Sequence, residues 1–235
     1  MSRHAAIAPH SRGRTSARLY PLVKRALDVT VAAGVLVASS PLLAYTALRI
    51  KLEDGGPVLY RGPRVGAGGR EFGMFKFRTM VVHAASIGGP STAEDDPRLT
   101  RAGKSLRRWK LDELPQFVNV LRGEMSLVGP RPQVASDVAR YSDEERQLLS
   151  VRPGITDWAS VVFRNEGEIL AGHADPDLAY DELIRPRKIR LGLAYVRHRT
   201  LRTDLEILWL TARVLVQPSA ADTLVARSMP GDDLQ

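Results

Sequence analysis

The chain has no cysteine. That excludes disulfides, zinc–thiolate sites and a cysteine nucleophile, and it suits a reducing compartment. There is no internal repeat, so the 235 residues read as one domain with appendages. The glycine cluster Gly66-Ala67-Gly68-Gly69 is not followed by Gly-Lys-Ser/Thr, which argues against a phosphate-binding glycine loop there. The apolar segment near the start lacks a small-residue cleavage site with a polar start after it, so no cleaved secretory signal is expected. What the chain does have is a 44% apolar fraction, enough for a core, and a net charge of +8. Such a balance favours anionic partners: nucleic acid, an acidic membrane surface or phosphorylated substrates.

The most informative stretch joins two adjacent acids, Asp112 and Glu113, to an apolar run and a Gly-Pro turn that carries Arg131 between two prolines. Lys104, Arg107, Arg108 and Lys110 come just before it. Carboxylates are hard oxygen ligands, and Mg²⁺ is usually held by one or two of them plus substrate phosphates. A carboxylate can also attack phosphorus. The guanidinium of Arg131, on a backbone restricted by its flanking rings, matches phosphate geometry. By residue type alone, a solvated helix face salt-bridged to nearby bases is the favoured reading, since charge runs are usually surface features.

The whole string KLDELPQFVNVLRGEMSLVGPRP resembles the core signature of the bacterial sugar transferases, the monotopic polyprenyl-phosphate phosphoglycosyl transferases. The resemblance runs from about Lys24 to Val216. It implies that Asp112 is a nucleophile with Glu113 as dyad partner, and that Mg²⁺ is required, with Mn²⁺ as an alternative. The metal ligand falls on Asp112, Glu113 or both.

Residues 26–50 form the apolar segment. Val29 to Ala47 is uncharged, about 19 residues where a straight membrane span needs roughly 20. Ser39-Ser40-Pro41 sits in its middle and should kink a helix. Both flanks are basic, with Lys24 and Arg25 before and Arg49 and Lys51 after, so both ends prefer the cytoplasm. A re-entrant hairpin is favoured over a spanning helix, and a buried soluble helix comes third. The same family carries this hairpin, marked here by Lys24, Arg25, Asp28, Ser40 and Pro41.

The expected organisation is a disordered basic arm over 1–18, a re-entrant membrane helix over 19–52, a cytoplasmic catalytic domain over 53–217 and a flexible tail over 218–235. The fold class is α+β, with a small antiparallel strand pair and amphipathic interfacial helices around the catalytic site. Strands are expected at Val58–Arg61 and Glu71–Met80, joined by a hairpin at Gly66–Gly69. Lys76 and Arg78 share a strand face, as phosphate contacts or as solvated edge charge. Glu94, Asp95 and Asp96 read as a solvated turn rather than a metal cluster. Leu99 to Val120 reads as a basic amphipathic helix with Trp109 on its apolar side, suited to a membrane interface or, alternatively, to nucleic acid. The dyad then falls near a helix start, where the macrodipole favours negative charge. A charged helix is expected from Asp137 to Leu149, and a helical region from Asp177 to Val216 with Thr203-Asp204 as a cap. Arg152 and Arg164 are candidate phosphate or nucleotide contacts, or ordinary surface arginines. Asp157 and Ser160 depart from the family's commoner Gly and Gln, which bears on the identity of the sugar.

The resemblance implies transfer of a sugar 1-phosphate from a nucleoside diphosphate sugar, a UDP-sugar by preference, to polyprenyl (undecaprenyl) phosphate. An aspartyl-phosphosugar would be the intermediate, and the step would initiate surface polysaccharide or glycoconjugate synthesis. The expected location is the cytoplasmic face of the bacterial inner membrane, with anionic lipid as a partner, no nucleic acid, and room for a homodimer. The competing reading is a non-catalytic basic protein that binds membrane or nucleic acid, which leaves the acid pair unexplained. An inactive scaffold is a third reading, disfavoured by the intact dyad.

Overall fold

A computed structural model describes residues 13–89, 91–217 and Val225. The expected arm over 1–12 and most of the expected tail lie outside the described residues. The first helix, α1, spans Gly13–Ala38, so it begins six residues ahead of the expected hairpin start. The second, α2, spans Ser40–Asp54, and the pair bends by 61° at the Ser39 break. The hydroxyl of Ser39 donates to Val35 O at 2.6 Å and that of Ser40 to Val37 O at 2.8 Å. Pro41 supplies no N–H to the ladder. Serine back-bonding and a proline together account for the bend. Among the described residues, no single helix is long and apolar enough to cross a membrane; only the bent pair passes that test, by length and composition. Gly55, at φ 72°, closes α2 with its N–H on Lys51 O at 3.0 Å.

Strands β1 (Leu59–Val65) and β2 (Glu71–Phe77) pair antiparallel, with Gly68 and Gly69 at positive φ in the hairpin turn. Helix α3 spans Arg101–Arg108 and α4 spans Gln116–Arg122. The short strand β3 (Ser126–Val128) leads out of α4, and α5 follows at Ala135–Ala139. Strand β4 (Gly154–Thr156) pairs parallel with β3. Then come α6 (Trp158–Val162), α7 (Glu166–Leu170), α8 (Pro176–Ala179), α9 (Arg185–His198) and α10 (Leu201–Val216). The main core gathers Met74, Val120, Met125, Val128, Trp158, Tyr195, Ile207 and Leu210 from β2, α4, β3, α6, α9 and α10.

Several elements are shorter than the sequence suggests. Strand β2 ends at Phe77 rather than Met80. The expected helix from Leu99 to Val120 is three pieces, because Lys110 takes the left-handed conformation (φ 56°) and a 3-10 turn, Leu111–Glu113, follows. The expected helix from Asp137 to Leu149 is α5 and a separate 3-10 turn, Glu145–Ser150. The C-terminal helical region breaks at Arg199–Thr200, and the cap of α10 is Thr200, whose hydroxyl accepts from Thr203 N at 3.1 Å. Thr203 is therefore inside the helix rather than at its cap. Asp96 is not solvated: it is buried against Arg98, which also donates to Gly89 O and Ser91 O and so organises the loop.

The stem of α1 is a polar stripe on the domain. Tyr20, Lys24 and Asp28 recur every four residues, so they share a helix face. Lys24 and the Tyr20 hydroxyl reach Asp204 Oδ2 at 2.9 and 3.0 Å. Arg25 donates to Val120 O and Leu121 O at the C-terminal end of α4. Asp28 is buried and accepts from Ser126 Oγ and Leu127 N on β3. Asp204, fully buried on α10, also receives the Tyr195 hydroxyl at 2.7 Å.

Candidate active site

The turn that presents the acids is set by its two borders. Lys110, left-handed, reverses the chain after α3. Pro115, with a helical backbone (φ −61°), then starts α4, where its missing N–H costs nothing. Between them Asp112 and Glu113 occupy one 3-10 turn beside β2 and below the loop after β3.

The two carboxylates are treated differently. Glu113 meets Lys76 Nζ from β2 at 3.3 Å and the guanidinium fork of Arg131, one arm at 2.9 Å on Oε2 and the other on Oε1. Arg131 also donates to Ile155 O at 3.0 Å, which fixes its plane against β4. Asp112, only 6% exposed, makes no hydrogen bond or ion pair with another described residue, and its Oδ1 is buried without a partner. Four residues on, Gln116 is fully buried, and both ends of its amide also lack a partner.

Electrostatics follow the same division. Burial pushes the Asp112 carboxyl above the ordinary range, Lys76 opposes this and the Glu113 charge adds to it. Burial would raise Glu113 as well, but Arg131 and Lys76 outweigh it and hold that carboxyl far below the usual range. Burial lowers Lys76 against the pull of Glu113. One acid is thus locked into an ion-paired frame, while the other is a desolvated carboxylate with no hydrogen-bond partner among the described residues.

Comparison with known proteins gives the family. Residues 19–218 match the family described as bacterial sugar transferase. The chain belongs to this family. It is 40% identical over 199 residues to an undecaprenyl-phosphate glucose phosphotransferase of Komagataeibacter xylinus, covering 82% of this chain and 35% of that protein. It is 36% identical over 198 residues to a UDP-glucose:undecaprenyl-phosphate glucose-1-phosphate transferase of Escherichia coli K12, covering 81% and 39%. An uncharacterized sugar transferase of Bacillus subtilis, EpsL, is 34% identical over 203 residues, covering 86% and 92%. The chain thus spans about two-fifths of the length of the first two relatives and nearly all of the third.

In this bacterial sugar transferase, Asp112, Glu113, Lys76 and Arg131 stand together, and three expected phosphate contacts stand elsewhere. Arg78 lies one residue past β2 and turns to the exit of the helix pair. It grips Asp54 through both arms, donates to Pro57 O at 2.7 Å, and holds the Asp54 carboxyl down to about 2. Arg152 donates to Gly123 O at 3.0 Å, at the end of α4 that Arg25 also covers. Arg164 donates to Val214 O at 2.7 Å, in the last turn of α10. Each of these two meets a helix C-terminus, where free carbonyls and the dipole attract cations. The two departures from the family pattern meet one another: buried Asp157 caps α6 by accepting from Ser160 N and Oγ at 2.7 and 2.6 Å. Asp157 and Arg131 also line a small cavity of about 20 Å³ with Tyr180, Arg185 and Lys188.

Sequence reasoning passed over Gln116 and the backbone of Lys110. Gln116 had one available signal, its spacing of four from Asp112, which puts the two on one helical face. Lys110 had none, because positive φ is ordinarily announced by Gly or Asn.

Proposed function

We propose that the chain carries out phosphoglycosyl transfer. A sugar 1-phosphate moves from a nucleoside diphosphate sugar, a UDP-sugar by preference, to polyprenyl (undecaprenyl) phosphate. The step would initiate a surface polysaccharide or glycoconjugate. The observation that carries the reading is the unpaired, desolvated Asp112 beside an ion-paired Glu113. A nucleophile must not be consumed by its neighbours, and the groups beside it should be pre-set for developing charge. The printed activities of the Komagataeibacter and Escherichia relatives support it.

In the first half-reaction an Asp112 carboxylate oxygen forms a bond to the phosphorus that carries the sugar. The bond from that phosphorus to the nucleoside monophosphate breaks, and its electron pair leaves with the monophosphate. In the second, an oxygen of the lipid phosphate bonds to the same phosphorus and Asp112 departs with its electron pair. The products are a polyprenyl diphospho-sugar and a regenerated carboxylate. Glu113 holds Lys76 and Arg131 in place, so their charge faces the phosphates without reorganisation. The two steps predict ping-pong kinetics.

Mg²⁺, or Mn²⁺ in its place, fits the donor set at Asp112, where a hard carboxylate oxygen is bare. Glu113 fits less well, since both its oxygens already accept from cations. No cluster of three or more His, Cys, Asp or Glu exists among the described residues, consistent with a cation that draws most of its ligands from phosphate and water. When bound, the cation neutralises diphosphate charge.

The bent α1–α2 pair supports a re-entrant membrane hairpin with both ends on the cytoplasmic face. Leu22, Val37, Leu48 and Leu52 are exposed along it, as are Trp109 after α3 and Leu205 and Trp209 on α10. Those apolar faces suit a bacterial inner membrane whose anionic lipids meet the basic flanks. Such a seat lets a water-soluble donor and a lipid acceptor share one site.

The test is nucleoside monophosphate release by the extracted full chain with Mg²⁺, undecaprenyl phosphate and a panel of UDP-sugars. Release with one donor, lost with chelator and in Asp112→Asn, is expected. Release that persists in Asp112→Asn would overturn the covalent mechanism. Failure with every donor from well-folded protein would overturn the UDP-sugar assignment.

A further inference from the structure

Among the described residues, six buried side-chain nitrogen or oxygen atoms have no hydrogen-bond partner. Three of them sit on two side chains one helical turn apart, Asp112 Oδ1 and both ends of Gln116. The other three are single atoms on Trp158, Arg164 and Arg185, and both arginines have a contact through their guanidinium, Arg164 with Val214 O and Arg185 with Glu145. Gln116 and Trp158 are the described residues among these with every polar atom of the side chain bare; Gln116 alone of the two leaves both a donor and an acceptor unmet, and its relative exposure is zero. Native proteins hold few such groups, and each calls for an explanation. Exchanging the oxygen and nitrogen of the amide does not help, because neither end has a partner.

The next amide on the same face shows that this environment can satisfy one. Asn119 donates from Nδ2 to Gly73 O and Glu124 Oε2, at 2.9 and 2.6 Å, and its Oδ1 accepts from Phe75 N at 2.9 Å. The helix therefore bonds its amide fully at Asn119 and leaves bare the one nearer Asp112. Two of the three bare atoms, Asp112 Oδ1 and Gln116 Oε1, are oxygen acceptors. Of the cations around Asp112, Lys76 and Arg131 are hydrogen-bonded to Glu113, while Arg107 and Lys110 act on Asp112 through their charge without a hydrogen bond to it. A guest for these two oxygens must supply positive charge or donors. A hard cation accepts a carboxylate and an amide carbonyl together.

We propose that Gln116 is a second protein contact, through Oε1, for a divalent cation held at Asp112. The assignment rests on the cation-assisted transfer proposed above. The amide nitrogen is then left to donate to a phosphate oxygen of the donor. In this role Gln116 fixes which oxygen of Asp112 is committed to the cation and which stays free to attack.

The experiment is cation binding by the detergent-extracted full chain without substrate. Free Mn²⁺ is counted by electron paramagnetic resonance, and melting is followed with and without Mg²⁺. Gln116→Met keeps the length and removes the polar atoms; Gln116→Glu keeps an oxygen at the same place. Gln116→Met is expected to melt about 2–4 °C higher than wild type in the absence of cation, since an unsatisfied buried amide is gone. Its Mn²⁺ affinity should fall about tenfold or more, and its Mg²⁺-induced rise in melting temperature should shrink. Gln116→Glu should retain Mn²⁺ binding. Wild-type Mn²⁺ affinity in Gln116→Met, or a lower cation-free melting temperature, would overturn the assignment. The covalent reading fails by a different result, monophosphate release that survives Asp112→Asn.

Discussion

At the stem of α1, Tyr20 and Lys24 both meet Asp204 on α10, Arg25 meets the end of α4, and Asp28 meets β3. At the dyad turn and the first residue of α4, Asp112 and Gln116 are more deeply buried than Tyr20, Lys24 and Arg25 and have bare polar atoms. Both regions take polar groups out of water, which costs free energy unless hydrogen bonds replace the lost hydration. The stem recovers that cost within the chain, so its charges fix how the helix pair docks. The turn does not do so among the described residues, and on the reading proposed above its bare polar groups are where a ligand would bind.

The sharpest way to break this comparison is Asp112→Asn. Turnover should fall by about 10⁴-fold or more, as when a nucleophile is removed. The folded protein should nevertheless melt higher at neutral pH. Burial raises the Asp112 pKa, so its ionisation is less favourable folded than unfolded. The stability tied to its proton is full below the unfolded pKa and is lost as pH rises through the folded one. An asparagine stays neutral and avoids that loss. A lower melting temperature would mean that Asp112 is an anchor like those of the stem.

The stem should behave in the opposite way. Asp204→Ala removes the acceptor of Tyr20, Lys24 and Tyr195 and leaves a lysine ammonium without its partner. Breaking a buried pair from one side costs about 3–5 kcal/mol. Denaturant melts of the full chain should show that loss, and Lys24→Met should show one of similar size. If either variant melts like wild type, the stem is not what docks the hairpin.

Arg131→Lys sharpens the contrast between the two acids. The charge is kept, but the fork that grips both oxygens of Glu113 is lost. Turnover should drop about 10- to 100-fold through kcat, with donor KM less affected. The pH dependence carries the second signature. Arg131 and Lys76 lower the Glu113 pKa, so its contribution to stability is present above the unfolded value and is lost as pH falls through the folded one. Acid melts of Arg131→Lys should begin at higher pH than those of wild type. Identical acid midpoints would show that the ion pair contributes nothing to stability.

The bend of the helix pair was legible because the Ser-Pro break is a short contiguous pattern with its own chemistry; the acids, Lys76 and Arg131 lie in such patterns too, and their roles are proposals. The bend at Ser39 needs only the serines and Pro41. The helix and strand boundaries were less legible for local reasons. Lys110 turns the chain in a conformation that its residue type does not announce, and two threonines three residues apart competed to cap α10. The bare amide of Gln116 was invisible because a lack of partners is a property of the packed chain. The partners of the arginines were the least legible. A guanidinium takes whichever carbonyl or carboxylate the tertiary fold brings near, and Arg78, Arg152 and Arg164 are 24, 29 and 50 residues from the partners they meet.

The smallest effect separates those two roles for arginine. Arg152 donates one hydrogen bond to Gly123 O beside the two that Arg25 gives to Val120 O and Leu121 O. Removing it by Arg152→Ala should cost about 1 kcal/mol or less, because Arg25 still covers that helix end. Donor KM should not change, since nothing at the dyad touches Arg152. A nucleotide contact would behave differently: KM would rise severalfold with little change in melting. A pairing of unchanged KM with a slight loss of stability assigns Arg152 to the anchor side of the comparison. The reverse pairing would move it back to the site.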